Sequence, residues 1–205
     1  MAKAAVTRPM TEPSTSDGGF EKINAGLPGV VLLHPTVFRD ARGQFFESYH
    51  EAKLAALGIR DRFVQDNQSR SVRGALRGLH YQLKRPQAKI CRVAQGEVLD
   101  VAVDIRLGSP NFGKWAGVVL SGENSLQIYI PAGFAHGFLV LSESADFLYK
   151  CSEFYDRDDE RGIRWNDPTL GIRWNEASPL LSAKDSALPL LADLPAEFLP
   201  RYRAD

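Results

Sequence analysis

The stretch Val98-Leu99-Asp100-Val101-Ala102-Val103-Asp104-Ile105 alternates apolar Leu99, Val101, Val103 and Ile105 with Asp100, Ala102 and Asp104. Successive side chains of a strand point to opposite faces, so the pattern gives one apolar face and a second face that lines something polar. Similar runs follow at Trp115 to Leu120, Leu126 to Ile130, Gly137 to Leu141 and Phe147 to Cys151. Turn-forming stretches such as Ser121-Gly122-Glu123-Asn124 and Ser142-Glu143-Ser144 separate them. Short strands at this spacing predict an all-β sandwich or barrel. Helical spacing is confined to the edges. Leu54 with Leu57 and Ala52 with Ala56 place a short helix in Tyr49 to Leu57, stopped by Gly58, and Ser182-Ala183-Lys184-Asp185 has the Ser-x-x-Asp form of a helix start. The near-repeat Gly162-Ile163-Arg164-Trp165-Asn166 and Gly171-Ile172-Arg173-Trp174-Asn175 is too short for a solenoid and reads as two similar turns.

A chain of 205 residues with 44% apolar content can bury one substantial core. The expected organisation is a leader over residues 1–26, loosely packed or ordered by a partner, and a single domain over residues 27–205. Lys plus Arg and Asp plus Glu both total 25, so no overall field attracts nucleic acid or an anionic membrane, and an anionic ligand needs a local pocket. The two cysteines, Cys91 and Cys151, have no metal-type spacing and read as buried reduced thiols. With neither a signal-peptide run nor a membrane-length apolar segment, the protein is expected in the cytoplasm.

The first concentration of chemistry is Leu76-Arg77-Gly78-Leu79-His80-Tyr81-Gln82. In a regular strand Arg77 and His80 face opposite sides, so serving one site requires a bend near Gly78. A histidine alone is more often structural than chemical. Pro131-Ala132-Gly133-Phe134-Ala135-His136-Gly137-Phe138 resembles the second metal motif of the cupin barrels. The first cupin motif supplies a His-x-His pair and a Glu, whereas His80 is followed by Tyr81 and Gln82. Of the other histidines, His34 lies in a leader strand and His50 in the short helix. Two histidines without a placed carboxylate make a poor divalent site, so the barrel reads as cupin-like and metal-free. Tyr149 shares a strand face with Phe147 and Cys151, which suits a packed core tyrosine as well as a functional one. Asp185 is accounted for by a capping box with Ser182, and only the fold can show whether it orients a histidine.

Together these stretches are similar to the dTDP-4-dehydrorhamnose 3,5-epimerase family, from about Val37 to about Leu191. The similarity rests on Asp40-Ala41-Arg42-Gly43-Gln44-Phe45-Phe46-Glu47-Ser48, Phe63-Val64-Gln65-Asp66-Asn67, Leu76 to Gln82, Asp100 to Arg106, Gly133 to Phe138, and Glu160-Arg161-Gly162-Ile163-Arg164-Trp165. It implies an antiparallel, cupin-like jelly-roll β-barrel with a few short peripheral helices, assembled as a homodimer. It implies the substrate dTDP-4-dehydro-6-deoxy-glucose, and so a step in making dTDP-rhamnose for cell-surface polysaccharide. Carbons 3 and 5 flank the C4 ketone, so loss of either proton gives an enolate that is reprotonated from the opposite face. That is proton transfer throughout, and it requires no metal or other cofactor.

By the same resemblance His80 is the base, held in its tautomer by Asp185. Lys89 faces the C4 oxygen and stabilises the enolate. Tyr149 returns a proton from the other face. Arg42, Glu47, Gln65, Asn67, Arg77, His136, Glu160 and Lys184 surround the pyrophosphate, thymidine and sugar, some reaching across the dimer. The chain departs from the family at Gln65-Asp66-Asn67-Gln68-Ser69, where many members carry His at the fourth place, and in its longer leader. Two rivals stay open on the residues alone. One is a mono-epimerase acting at C3 or C5 only. The other is a metal-binding cupin or a non-catalytic sugar-nucleotide module.

Overall fold

A computed structural model describes residues 19–203, and the alternating stretch forms the strand Glu97–Asp104 within it. In chain order the elements are β1 (Phe20–Asn24), β2 (Val31–Pro35), β3 (Phe38–Asp40), β4 (Gly43–Phe45), α1 (Glu51–Ala56), β5 (Gln65–Val72), β6 (Leu76–Gln82), β7 (Lys89–Gln95), β8 (Glu97–Asp104), β9 (Trp115–Ser121), β10 (Gln127–Ile130), β11 (Phe134–Val140), β12 (Ser144–Cys151), β13 (Glu160–Gly162) and α2 (Ala183–Ser186). The fold is all-β, and pairing between these strands is antiparallel. A six-stranded sheet runs β1-β2-β10-β7-β12-β5, a five-stranded sheet runs β13-β6-β11-β8-β9, and β3-β4 form a separate hairpin. Residues 1–18 of the expected leader lie outside the described residues. The part from Phe20 to Asn24 is an edge strand paired with β2.

The faces of β8 are used in an informative way. Leu99, Val101, Val103 and Ile105 turn outward, where Leu170, Trp174, Leu191 and Leu199 of the C-terminal segment cover them in one apolar cluster. Val98 and Ala102 turn inward, toward Leu32, Ile128, Cys91 and Phe147 of the other sheet. The polar position between them, Asp100, is therefore aimed between the sheets and is fully buried. A third cluster seats Leu54 of α1 and Ile59 on Leu33 and Ile90, on the outer face of the six-stranded sheet. The near-repeat forms a local clasp in which Trp174 Nε1 donates to the Trp165 carbonyl at 2.8 Å.

Both short helices lie where the spacing places them. His50 caps α1, its ring accepting from the Lys53 amide. Ser182 caps α2, accepting from the Asp185 amide at 3.0 Å. The bend required near Gly78 is also present. Opposite β11, His80 pairs with His136 and Arg77 with Phe138, so two residues of β6 face the single Gly137. This bulge turns Arg77 and His80 to one face. Only glycine fits there: Gly78 has φ +117, and a Cβ on it would lie 2.6 Å from Gly137 Cα.

Candidate active site

Antiparallel partners project to the same face, and the register therefore lines up the inner surface of the six-stranded sheet. Tyr149 of β12 stands between Asn67 and Cys91, and Cys151 between Gln65 and Lys89. From the five-stranded sheet Arg77, His80 and His136 face them across a cavity of ≈ 570 Å³, which Glu160, Lys184 and Asp185 close on one side. A smaller recess of ≈ 300 Å³ shares His80, Lys89 and Tyr149 and extends past Gln65 to Tyr155. Phe147 is stacked on Phe138 at 4.0 Å between ring centroids, which gives the cavity an apolar side.

The centre of the polar side is His80. Its Nε2 lies 2.5 Å from Asp185 Oδ1. With that nitrogen donating to the carboxylate, Nδ1 keeps the lone pair of the neutral ring. Glu160 Oε1 is 3.8 Å from Nδ1, too far for a hydrogen bond. Burial alone would raise the Asp185 carboxyl, but its bonds with His80 and Ser182 hold it below the ordinary carboxylate range. Glu160 is lowered in the same manner against burial, by its bonds from Lys184 and from the Tyr155 hydroxyl. The carboxylate of Asp185 thus does what the capping box alone does not require: its amide completes the cap while its side chain leaves for His80.

Lys89 Nζ lies 5.9 Å from the centre of the Tyr149 ring and forms no ion pair among the described residues. Tyr149 is partly buried, and its hydroxyl has no hydrogen-bond partner among those residues. Desolvation pushes it up to about 12, so it stays a protonated donor at neutral pH. It packs against Phe147 at 5.9 Å and also lines the cavity, so packing and access to a ligand are compatible at this position. Deeper in, His136 Nε2 is 2.9 Å from Asp100 Oδ2 and 3.9 Å from Cys91 Sγ. Burial lowers the His136 imidazole, which favours its neutral form.

Of the remaining expected residues, Arg77 lines the cavity with its guanidinium on Ser71 Oγ at 3.1 and 3.2 Å. Gln65 donates to Asn67 at 3.0 Å and accepts from the Tyr155 amide. Lys184 pairs with Glu160 at the rim. Arg42 and Glu47 are not brought to this cavity within one chain. Arg42 sits on the β3–β4 hairpin, 91% exposed and paired with Asp40, and Glu47 pairs with Lys53. The hairpin also exposes Phe38 and Phe45. The sequence did not point to Tyr155, which lines the recess and bonds Glu160, nor to the bond of Asp100 with His136. Nothing local marks Tyr155, whereas Asp100 is signalled by its place in an otherwise apolar strand.

A histidine bonded to a carboxylate, a lysine with no ion pair among the described residues and a protonated phenol thus face one cavity between two antiparallel sheets, a set of groups able to exchange protons with a bound ligand. Residues 24–193 match the profile of the dTDP-4-dehydrorhamnose 3,5-epimerase family. The chain belongs to that family. It is 56% identical over 169 residues to the dTDP-4-dehydrorhamnose 3,5-epimerase of Pseudomonas aeruginosa, covering 82% of this chain and 93% of that one. Its structure resembles that of the dTDP-6-deoxy-D-glucose-3,5-epimerase of Legionella pneumophila in complex with dTDP-4-keto-L-rhamnose, with TM-score 0.88, 52% identity, and coverage of 90% and 100%. It also resembles a 3'-monoepimerase of Streptomyces bikiniensis in complex with dTDP-quinovose, with TM-score 0.80, 37% identity, and coverage of 86% and 91%.

Proposed function

We propose that this chain is an isomerase, a dTDP-4-dehydrorhamnose 3,5-epimerase that inverts C3 and C5 of dTDP-4-dehydro-6-deoxy-glucose to give dTDP-4-dehydro-rhamnose. The observation that carries the mechanism is the His80–Asp185 pair opening on the same cavity as Lys89 and Tyr149. His80, with its free nitrogen turned from Asp185, removes the proton α to the C4 ketone. The electron pair moves to the C4 oxygen, where the Lys89 ammonium stabilises the enolate. Tyr149 returns a proton from the opposite face, and the centre inverts. Each step moves only a proton, and a positioned acid or base typically contributes ~10²–10⁴-fold.

Arg77, His136, Asn67 and Gln65 hold the sugar and diphosphate from the two sheets, and Glu160 with Lys184 forms the rim. Two sheets enclosing a common core support a cupin-like jelly roll. An exposed hairpin carrying Phe38, Phe45 and Arg42 supports a homodimer in which Arg42 and Glu47 complete the partner's cavity. Two free, buried thiols support a cytoplasmic location. Among the described residues no helix is long and apolar enough to cross a membrane.

The likeness to a monoepimerase makes the number of inverted centres the quantity to test. Incubation with dTDP-4-dehydro-6-deoxy-glucose in deuterated water, followed by NMR, is expected to show label at both C3 and C5. Label at one carbon alone overturns the double epimerase in favour of a mono-epimerase, and label at neither overturns the proton-transfer reading.

A further inference from the structure

We propose that Cys91, Asp100 and His136 form a binding site for one thiophilic divalent cation of the Zn²⁺ or Cd²⁺ class at the floor of the cavity, outside the proton-transfer machinery. The three residues come from β7, β8 and β11, so the site bridges the two sheets. Their ligand atoms all lie within 4.8 Å of one another. Bond lengths of ~2.3 Å to sulfur and ~2.0–2.1 Å to nitrogen put tetrahedral ligand atoms about 3.3–3.6 Å apart. The observed 3.9 Å from Cys91 Sγ to His136 Nε2 and 2.9 Å from His136 Nε2 to Asp100 Oδ2 bracket that range. The third side, from Cys91 Sγ to the Asp100 carboxylate, is within 4.8 Å, so closing the triangle takes a movement of about an ångström or less.

A second observation is independent of the cluster. Asp100 is 0% exposed, and its Oδ1 has no hydrogen-bond partner among the described residues. A buried carboxylate with an unpartnered oxygen carries a desolvation cost that a bound cation relieves. The ligand set selects the ion. Thiolate and imidazole suit Zn²⁺ and its heavier relative, whereas Mg²⁺ and Ca²⁺ want oxygen ligands. Lys89 opposes positive charge at His136, so the ion must be held by ligand bonds and not by the general field. On binding, the Cys91 S–H bond breaks, its proton passes to solvent, and the sulfur–metal bond forms. His136 lines the cavity, so the fourth ligand is a water or an oxygen entering from it. The ion takes no part in epimerisation. It draws His136 and Asp100 to itself and obstructs the floor on which the sugar rests.

The test uses the full chain, freed of metal by a chelator and titrated with ZnCl₂ alone, then with Co²⁺ as a spectroscopic probe. One Zn²⁺ per chain and a thiolate-to-Co²⁺ charge-transfer band are expected. In Cys91→Val, which keeps an apolar side chain of similar size, affinity should fall about 100-fold or more, beyond the 10–100-fold cost of losing an outer-shell partner. Its metal-free turnover should match that of the unaltered chain. Cys91→Ser, which preserves shape most closely, should likewise lose the band even if the valine variant folds poorly. No bound Zn²⁺, a Co²⁺ spectrum without the thiolate band, or unchanged affinity in both variants would overturn the site. None of these readouts uses the sugar nucleotide, so their failure is distinct from failure of the epimerase reading.

Discussion

Asp185 Oδ1 stands 2.5 Å from His80 Nε2, although 105 positions separate the two residues in the chain. The single turn of α2 makes this contact possible. Ser182 Oγ takes the Asp185 amide, which fixes the backbone of the turn and sends the carboxylate across to β6. Asp185→Asn keeps the size of the side chain but removes the charge and lets the amide bind the wrong tautomer of His80. In a serine-protease triad the equivalent change lowers kcat about 10⁴-fold. Here the expected loss in kcat is ~10²–10⁴-fold with KM little changed, read by steady-state kinetics. A variant with unaltered kcat would remove Asp185 from the mechanism.

The same bond has a consequence for acid stability. The Asp185 carboxyl is held below its ordinary value of 3.8, because the bonds with His80 and Ser182 outweigh burial. A carboxyl depressed in the folded state adds stability that is complete above its unfolded value and is lost as pH falls through its folded value. Urea unfolding of the unaltered chain should therefore weaken more steeply below pH 3.8 than that of Asp185→Asn. Parallel pH profiles for the two proteins would contradict this.

Tyr149, pushed up to about 12 by desolvation, remains protonated across the working range. Tyr149→Phe should still lose the substrate proton to His80, so exchange with deuterated solvent continues at a measurable rate. Stereospecific return should fall by ~10²-fold or more, and label should be recovered in uninverted sugar. Equal loss of exchange and of inversion would mean that Tyr149 is not the donor.

For Lys89 the prediction concerns the enolate. Lys89→Met keeps an unbranched apolar side chain and removes the ammonium. Loss of one preorganised stabilising group costs about 10²–10³-fold in kcat, and that is the expected effect at saturating substrate. A change confined to KM would place Lys89 in binding alone.

The bulge gives a structural prediction. Gly78→Ala would set a Cβ 2.6 Å from Gly137 Cα at φ +117. The atoms it would meet are backbone of His136 and Gly137, which cannot yield as a flexible side chain would. A loss of roughly 1–3 kcal/mol is expected from the strained conformation, with more from the overlap. The melting temperature and the kcat of any folded fraction should both drop, since the bulge aligns Arg77 with His80. Unchanged stability would show that the glycine pair is dispensable.

Much of the architecture was legible in the chain because strand alternation is a local property. The runs at Val98 to Asp104 and Phe147 to Cys151 are strands, and the caps at Ser182 and before Gly58 mark helices where the spacing places them. The candidate site was legible only in pieces. Arg77 and His80 could be required to share a face, and the bulge opposite Gly137 answers how. The carboxylate found wanting for a second cluster is Asp100, already visible as a polar position in β8, but its partner His136 is 36 positions away. Arg42 and Glu47, expected at the same site from family likeness, stand outside the cavity of their own chain.

What the sequence by itself determined is therefore the period of each element, the face on which side chains lie wherever the strand is regular, the family, and the residue types available for proton transfer. The tertiary structure alone decided which faces oppose one another. It brought Asp185 to His80, Cys91 to His136 and Lys89 to Tyr149, and it turned the polar face of β8 inward instead of toward water. The reason is physical: alternation follows from the geometry of one strand, whereas register and sheet-on-sheet contact follow from burying apolar surface contributed by distant parts of the chain.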